Sequence, residues 1–102
     1  MTETARPEPT IAHNVGMRRF ETVVDGELAR CDYRLDGKAM RLVHTEVPPA
    51  LEGRGIAARL VAAALAYARD QNLSVIPVCS YVRAYMRRHP ETAALLPEGM
   101  AL

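Results

Sequence analysis

Residues 51–57 read Leu51-Glu52-Gly53-Arg54-Gly55-Ile56-Ala57, and they separate a β-rich half of the chain from one long amphipathic helix. Two glycines one residue apart can bring several backbone N–H groups to one point, because no Cβ stands in the way. The first N–H groups of a helix have no intrahelical partner, and the macrodipole is positive there. The stretch is therefore either a phosphate-binding turn or an ordinary tight turn between a strand and a helix.

Three strand-like runs precede this turn, over about residues 17–24, 27–35 and 38–47. Asp25-Gly26 and Asp36-Gly37 separate them, and Asp-Gly between β-type runs is the strongest short hairpin signal. We therefore expect an antiparallel meander that ends at Pro48-Pro49, because proline cannot donate to the ladder.

Alternation within the runs predicts which side chains are buried. In the second run the residues expected on the buried face are Ala29, Cys31, Tyr33 and Leu35. In the third run, Met40, Leu42 and His44 oppose Ala39, Val43 and Val47. Apolar residues on both sides of the third run predict a central strand that is covered on both faces.

A helix is expected after the turn, over about residues 55–71. Its apolar stripe has a spacing close to 3.6 residues and consists of Ile56, Leu60, Val61, Ala64, Leu65 and Ala68. The run 73–78 reads as a fourth strand, and Pro77 requires either an edge position for it or an irregularity in the sheet. Strand, helix and strand in this order imply a right-handed parallel crossover. A second helix over about 81–88 and a further turn at 91–96 complete the prediction.

Length and composition indicate one ordinary domain of 102 residues, with a flexible tail over residues 1–10 and a folded part over 11–102. The formal net charge of +1 gives no strong field for nucleic acid or membrane, and one Phe with no Trp leaves no stacking platform for bases. The tail has no apolar signal-peptide region, and no apolar run approaches a membrane span. Cys31 and Cys79 match no metal spacing and no disulfide framework, so we expect a reduced, cytoplasmic protein without a metal.

The order of these elements, with Glu52-Gly53-Arg54-Gly55-Ile56-Ala57 at the turn, resembles the acetyl-CoA-binding core of the GNAT N-acetyltransferase superfamily. It is most similar to the small single-domain YjdJ-type branch. The segments that carry the resemblance are residues 44–49, 53–57, 77–79 and 87–91, which read HTEVPP, GRGIA, PVC and RRHPE. The implied fold is α/β in the mixed α+β sense: an antiparallel meander, a β-α-β parallel crossover and a C-terminal helix.

The resemblance implies that the cosubstrate acetyl-CoA binds at the turn and at the strand before it. The pyrophosphate would lie on the amides of the turn, and the turn residues involved would be Gly53, Arg54, Gly55, Ile56, Ala57 and Arg59. Glu52 departs from the Gln or Arg that is usual in the family, and a carboxylate there is electrostatically unhelpful. The pantetheine arm would pair with the strand edge at Thr45, Glu46 and Val47, as in β-augmentation.

Four residues are candidates for catalysis on the same resemblance: Cys79, His44, Glu46 and Tyr85. Cys79 acts as a nucleophile, lines the acetyl pocket, or is a small buried apolar residue without a role in the site. His44 is a candidate base or a histidine bonded within the sheet. Glu46 either polarises a water that takes the amine proton or is a surface carboxylate. Tyr85 is the candidate acid for the departing thiolate, with Tyr81 as a competitor, and both can instead be packing residues.

A basic cluster consists of Arg83, Arg87, Arg88 and His89. It is either a solvated helix face or a contact for the 3′-phosphate of CoA or for an acidic partner.

The expected function is acetyl transfer from acetyl-CoA to an amine, and the alternative is a CoA-binding module without transferase activity. The chain leaves no room for the two helices that usually follow the first strand in this superfamily. The acceptor side should then be open, which suits a bulky or protein acceptor, or completion by a partner.

Overall fold

The strands lie in one five-stranded sheet in the order in which they occur in the sequence, β1-β2-β3-β4-β5. The computed structural model describes residues 9–102. The elements are β1 Ala12–Asn14, β2 Arg19–Val24, β3 Glu27–Asp36, β4 Ala39–Glu46, α1 Ile56–Asp70, β5 Ser74–Pro77 and α2 Ser80–Arg88, with 3-10 turns at Pro49–Leu51 and Pro90–Leu95. Strands β1 to β4 pair antiparallel, and β4 pairs parallel with β5.

The meander, the parallel crossover and the C-terminal helix are confirmed, and β5 is the edge strand that Pro77 requires. The sequence prediction missed β1, which has three residues and pairs with the start of β2. The link from β1 to β2 takes only the four residues 15–18, so no helix lies between these strands. The predicted tail falls outside the described residues except for Pro9 and Thr10.

The core lies on one face of the sheet, between the strands and both helices. The whole apolar stripe predicted for α1 is buried. Val82 and Met86 of α2 join the same core as Met40 and Leu42 of β4. The prediction that β4 is covered on both faces is wrong, because the opposite face carries a row of charged side chains, Arg19, Glu21, Arg30, Asp32 and Arg41. We call this second surface the open face.

The predicted burial of Leu35 is also wrong, since 42% of this residue is exposed. Leu35 lies near the end of β3, and its partner across the strands is Met40. Ala29, Cys31 and Tyr33 are buried as predicted.

A bulge in β4 reverses the predicted orientation of its last residues. Tyr33 pairs with Leu42 but Asp32 pairs with His44, so Val43 is an extra residue in the ladder. Because side chains alternate along a strand, one extra residue moves all later side chains to the other face. Thr45 therefore points to the helix side. His44, predicted on the side of Met40 and Leu42, lies on the open face instead.

Strands β4 and β5 stay together only over the first half of β4. The parallel register runs from Ala39 with Ser74 to Leu42 with Pro77. The backbone N–H of Cys79 then donates to the carbonyl of Leu42 at 2.9 Å. Within the described residues β4 continues to Glu46 paired with β3, while the other chain turns into α2. A gap thus opens between β4 and the start of α2.

Neither α1 nor α2, nor any other helix within residues 9–102, is long and apolar enough to cross a membrane.

Candidate active site

The glycine turn before α1 has an open space in front of its backbone. Gly53 has φ +83° and Gly55 has φ +76°, in the left-handed region that side chains rarely adopt. A Cβ built at either position would meet no protein atom within 4 Å. The glycines are therefore required by the backbone conformation, and nothing in the described chain fills the space beside them.

Gly55 is the N-cap residue of α1, and among residues 9–102 no side chain caps this helix. The N–H groups of the first turn, at Ile56, Ala57 and Ala58, precede the first intrahelical bond, which Arg59 N–H donates to Gly55 at 3.2 Å. No acidic residue lies in the first turn. Ile56 is buried in the core, so it offers its backbone amide rather than its side chain. This arrangement can hold an anion on backbone amides.

The two arginines predicted beside the turn lie in different places. Arg54 Nη1 donates to Asp25 Oδ2 at 3.1 Å, which ties the glycine turn to the hairpin between β2 and β3. Arg59 lines a groove of about 360 Å³ along α1, together with Ile11 and Ala62. Glu52, the departure from the family pattern, is exposed. Water therefore screens its carboxylate.

Thr45 joins two thiols on the helix side of the gap. The Sγ of Cys79 donates to Thr45 Oγ1 at 3.6 Å, and Thr45 Oγ1 donates to Cys31 Sγ at 3.7 Å. Burial raises the pKa of the Cys31 thiol to about 11, so Cys31 remains protonated near neutral pH. Cys79 is half-buried and is the N-cap residue of α2. It is therefore the more accessible thiol of the two.

A charged network lies on the open face beside the same part of β4, residues 44–46. His44 Nε2 lies 3.1 Å from Glu46 Oε1, and Arg30 Nη2 donates to the same oxygen at 3.2 Å. The pKa of Glu46 is lowered, first by its hydrogen bond with His44 and then by the charge of Arg30. Arg30 Nε also lies 3.5 Å from Asp32 Oδ2. The ionised carboxylate of Glu46 and the imidazole of His44 are thus exposed together, and such a pair can accept a proton.

The predicted site residues therefore divide between two faces of β4. Thr45 meets Cys79 on the helix side, whereas His44 and Glu46 meet each other on the open face. Val47 packs partly against the core just after β4. Sequence reasoning missed Cys31 and Arg30 as neighbours of these residues. The bulge at Val43 decides this arrangement, and no glycine or proline marks it in the sequence.

Tyr85 lies in the groove between α1, α2 and the last 3-10 turn. This groove has a volume of about 270 Å³, and its lining includes Leu65, Ala66 and Leu95. The ring of Tyr85 stacks on His89 with centroids 4.0 Å apart, and burial raises the pKa of its hydroxyl. Six residues of helix separate Tyr85 from Cys79, a rise of about 9 Å along the axis.

Part of the basic cluster on α2 has a structural role. Arg83 Nη2 donates to the carbonyls of Pro77 at 3.2 Å and Val78 at 3.4 Å, which closes the end of β5. Arg87 and Arg88 are exposed in the last turn of α2. No group of three His, Cys, Asp or Glu side chains that could hold a metal ion occurs within residues 9–102.

Comparisons with known proteins agree with this architecture. The chain is 35% identical to Protein NATD1 of Homo sapiens over 83 residues, which are 78% of this chain and 74% of that protein. Protein NATD1 of Xenopus tropicalis is 34% identical over 83 residues, covering 78% and 76% of the two chains. An NMR structure from Staphylococcus aureus, described as a GCN5-like N-acetyltransferase by inference, superposes with a TM-score of 0.71 at 25% identity over 90% of each chain.

The sequence profile of one family matches residues 19–95, which include β2 to β5, both helices, the glycine turn and Cys79. This match covers most of the chain and every element that builds the gap. The chain therefore belongs to the GCN5-related N-acetyltransferase family, the GNAT superfamily of the sequence analysis.

Proposed function

We propose that the protein binds acetyl-CoA and transfers the acetyl group to an amine. The observation that carries the proposal is the open backbone cradle at Gly53 and Gly55 at the start of α1, in a chain where a gap also opens after Leu42 of β4. A phosphate-binding turn together with an unpaired strand edge fits a long ligand with an anionic head and an amide-bearing arm.

The pyrophosphate of acetyl-CoA would bind the amides of the turn. The backbone of residues 53–57 supplies the N–H groups, and the N-terminus of α1 supplies partial positive charge. Arg59 adds a cation in the first turn of the helix. Arg54 supports the turn through its contact with Asp25, and its charge remains within the same region.

The arm of the cosubstrate would lie along β4 in the gap. The carbonyl of Leu42 accepts the last bond that links β4 to Cys79. Thr45, Glu46 and Val47 follow it, and within residues 9–102 their backbone has no strand partner on the side of the gap. The amide groups of a pantetheine arm can satisfy such an edge. The acetyl thioester supplies an activated acyl group, and it would end beside Thr45 and Cys79.

The chain's own groups would then assist direct transfer. A backbone N–H near Val47 would polarise the thioester carbonyl, and the gap would position it. The amine would approach from the open face, where the His44–Glu46 pair accepts its proton as the C–N bond forms and the C–S bond breaks. Tyr85 would need to move, or act through water, to protonate the CoA thiolate.

Two thiols joined through a threonine hydroxyl also support a reducing location, and we propose that the protein is cytoplasmic. Both cysteines are free, and Thr45 lies between them. Thiols of this kind persist where the cell keeps cysteines reduced.

The test is an amine panel with acetyl-CoA, read by mass spectrometry of the acetylated product and by release of the CoA thiol. We expect acetyl-CoA to bind and at least one amine to be acetylated. Binding without turnover across primary amines, polyamines and lysine peptides would favour the CoA-binding module instead. The absence of acetyl-CoA binding would overturn the proposal altogether.

A further inference from the structure

A cavity of about 540 Å³ lies on the open face of the sheet, beside the bulge in β4. Asp32 and Arg34 of β3 and Val43 of β4 form one side of it, and the loop between β1 and β2 forms the other with Met17 and Arg18. The cavity is separate from the glycine turn and from the groove that holds Tyr85.

Positive charge in this cavity exceeds what the surrounding carboxylates neutralise. Arg19 is paired with Glu21 at 2.6 Å, and Asp32 is paired with Arg30 at 3.5 Å. Arg18 and Arg34 also line the cavity, and neither has an acidic partner among residues 9–102. Two guanidinium groups are therefore available to an anion.

Two positive charges lie opposite each other in the sheet beside this cavity. Arg34 lies directly opposite Arg41 across β3 and β4, and like charges at directly opposite positions destabilise a sheet. The charge of Arg41 is partly neutralised by Asp36, whose Oδ2 lies 3.9 Å from Arg41 Nε. Arg34 is therefore the arginine of this cross-strand pair whose charge no carboxylate among residues 9–102 neutralises. A bound anion would offset this repulsion.

The loop that carries Arg18 is held in a fixed conformation. Arg18 has φ +56°, a left-handed backbone that is uncommon for a residue with a side chain. The N–H of Tyr33 donates to the Arg18 carbonyl at 2.9 Å, and the N–H of Met17 donates to Asn14 Oδ1 at 3.0 Å. These bonds place Arg18 beside β3 before any ligand arrives.

The cavity adjoins the candidate proton acceptor. Asp32, which lines the cavity, is the cross-strand partner of His44. Val43, another lining residue, immediately precedes His44 at the point where β4 separates from β5. A molecule that fills the cavity therefore reaches the face from which an amine would approach the gap.

We propose that the amine acceptor carries a carboxylate or another anionic group, which Arg18 and Arg34 bind while the amine lies at His44. This inference rests on the proposed acetyl transfer and names the substrate class for it. Arg18 and Arg34 are specificity-determining residues, since they would select and orient the acceptor without touching the reacting atoms. Cationic polyamines would be poor acceptors for the same reason.

The test compares C-terminally amidated lysyl-aspartate with C-terminally amidated lysyl-asparagine, two dipeptides of which only the first carries a carboxylate. Titrations of the isotopically labelled protein are followed by NMR, with the same pair of residues also presented within a longer peptide. We expect the aspartate compound to bind about fivefold more tightly, in line with exposed ion pairs. The shifts should centre on residues 17–19 and 32–34, and a preference seen only in the longer peptide would identify a protein segment as the source.

The variants Arg34→Gln and Arg18→Gln should remove this preference, because each deletes one available guanidinium. Lys38→Gln is the matched control: it removes one positive charge from the exposed turn between β3 and β4, outside the cavity lining. The control should keep the fivefold difference. Equal binding of the aspartate and asparagine compounds both as dipeptides and within the longer peptide, or a preference that survives in the double variant, would overturn the inference.

Acetyl-CoA binding is measured separately by calorimetry on the same samples. If acetyl-CoA binds and neither the dipeptides nor the longer peptides show a charge preference, the acceptor class is wrong and the proposed transfer stands. If acetyl-CoA does not bind, the proposed function fails whatever the dipeptides show.

Discussion

At Cys79 the neighbouring side chains favour direct acetyl transfer over a covalent route through the thiol. Cys79 lies at the N-terminus of α2, a position that favours a thiolate, but a covalent route is also helped by an adjacent base that takes the proton of the thiol. The partner that Cys79 has in the structure is the hydroxyl of Thr45, which is not a base. His44, the nearest imidazole along β4, lies on the opposite face of the strand because of the bulge.

The Cys79→Ala variant should therefore keep acetyl-CoA binding and most of the transfer activity. The measurement is the intact mass of the protein after incubation with acetyl-CoA, together with transfer rates for both proteins. A wild-type acetyl adduct that is absent in Cys79→Ala, and that passes to an added amine, would contradict direct transfer.

We expect His13 to make the stability of the protein depend on pH. Its ring stacks on Phe20 with centroids 4.2 Å apart, and Nε2 lies 2.6 Å from the Tyr33 hydroxyl. Burial lowers the pKa of His13 below its ordinary value of 6.5, so the unfolded chain takes up this proton first as the pH falls. The contribution of neutral His13 is thus complete above about pH 6.5 and decreases as the pH falls through the folded-state pKa.

We expect the melting temperature to fall on acidification from about pH 8 to about pH 5, and His13→Gln to reduce this dependence. Glutamine keeps a hydrogen-bonding group for Tyr33 and cannot titrate. Thermal melts of both proteins across this range provide the comparison. An identical pH dependence in the variant would show that His13 does not contribute.

At the scale of elements, α1 is the part that ties the core together. Its six buried residues face β2, β3 and β5, and Leu60 at its centre is fully buried. Its polar side, including Arg69, is exposed. Substitutions in the buried stripe should therefore lower the stability strongly, whereas substitutions on the exposed side should change it little.

Leu60→Ala should lower the free energy of unfolding by about 2–5 kcal/mol, because it leaves a cavity in a packed core. Arg69→Ala on the same helix is the control and should change it by less than about 0.5 kcal/mol, since the Arg69–Asp70 pair is exposed. Urea denaturation measures both. Similar losses for the two variants would contradict this packing of α1.

Local signals made most of the elements predictable from the sequence. The two Asp-Gly turns predicted the meander, and the apolar stripe with 3.6-residue spacing predicted α1. Both signals are local, because they depend only on residues close together in the chain. The β1 strand was missed because three residues carry too little periodicity. The bulge at Val43 could not be predicted, since it depends on which residue of β3 faces it.

The list of candidate site residues stays a prediction, and the arrangement that the structure gives them could not be predicted from the sequence. The spacing of the glycines and the order of the secondary-structure elements were enough to single out the glycine turn and Cys79. The alternation rule placed His44 on the buried side, and one extra residue in the ladder reversed that. The cavity with Arg18 and Arg34 combines a loop and a strand that the sequence gives no reason to bring together.

At the scale of the whole molecule, a ligand that binds only the folded chain must raise its stability. At 100 times the dissociation constant the gain is about 2.7 kcal/mol. For a domain of this size we expect acetyl-CoA to raise the melting temperature by more than about 10 °C. Adenosine, which lacks the phosphates, should give no comparable shift. Equal shifts from both would show that the amide cradle is not the anchor.

The central claim is that the backbone at Gly55 faces the pyrophosphate of acetyl-CoA. Gly55 and Gly37 both have positive φ, at +76° and +61°, and a Cβ at either meets no protein atom within 4 Å. Gly55→Val and Gly37→Val therefore impose similar backbone strain, but only the side chain at position 55 would enter the space proposed for the phosphates.

Calorimetry with acetyl-CoA on the two folded variants tests this claim directly. Gly55→Val should lower the affinity by about two orders of magnitude, the value of two lost charge-assisted hydrogen bonds, and Gly37→Val should bind as the wild type does. Unchanged affinity in a folded Gly55→Val protein, or an equal loss in both variants, would contradict the assignment of the glycine turn as the acetyl-CoA site.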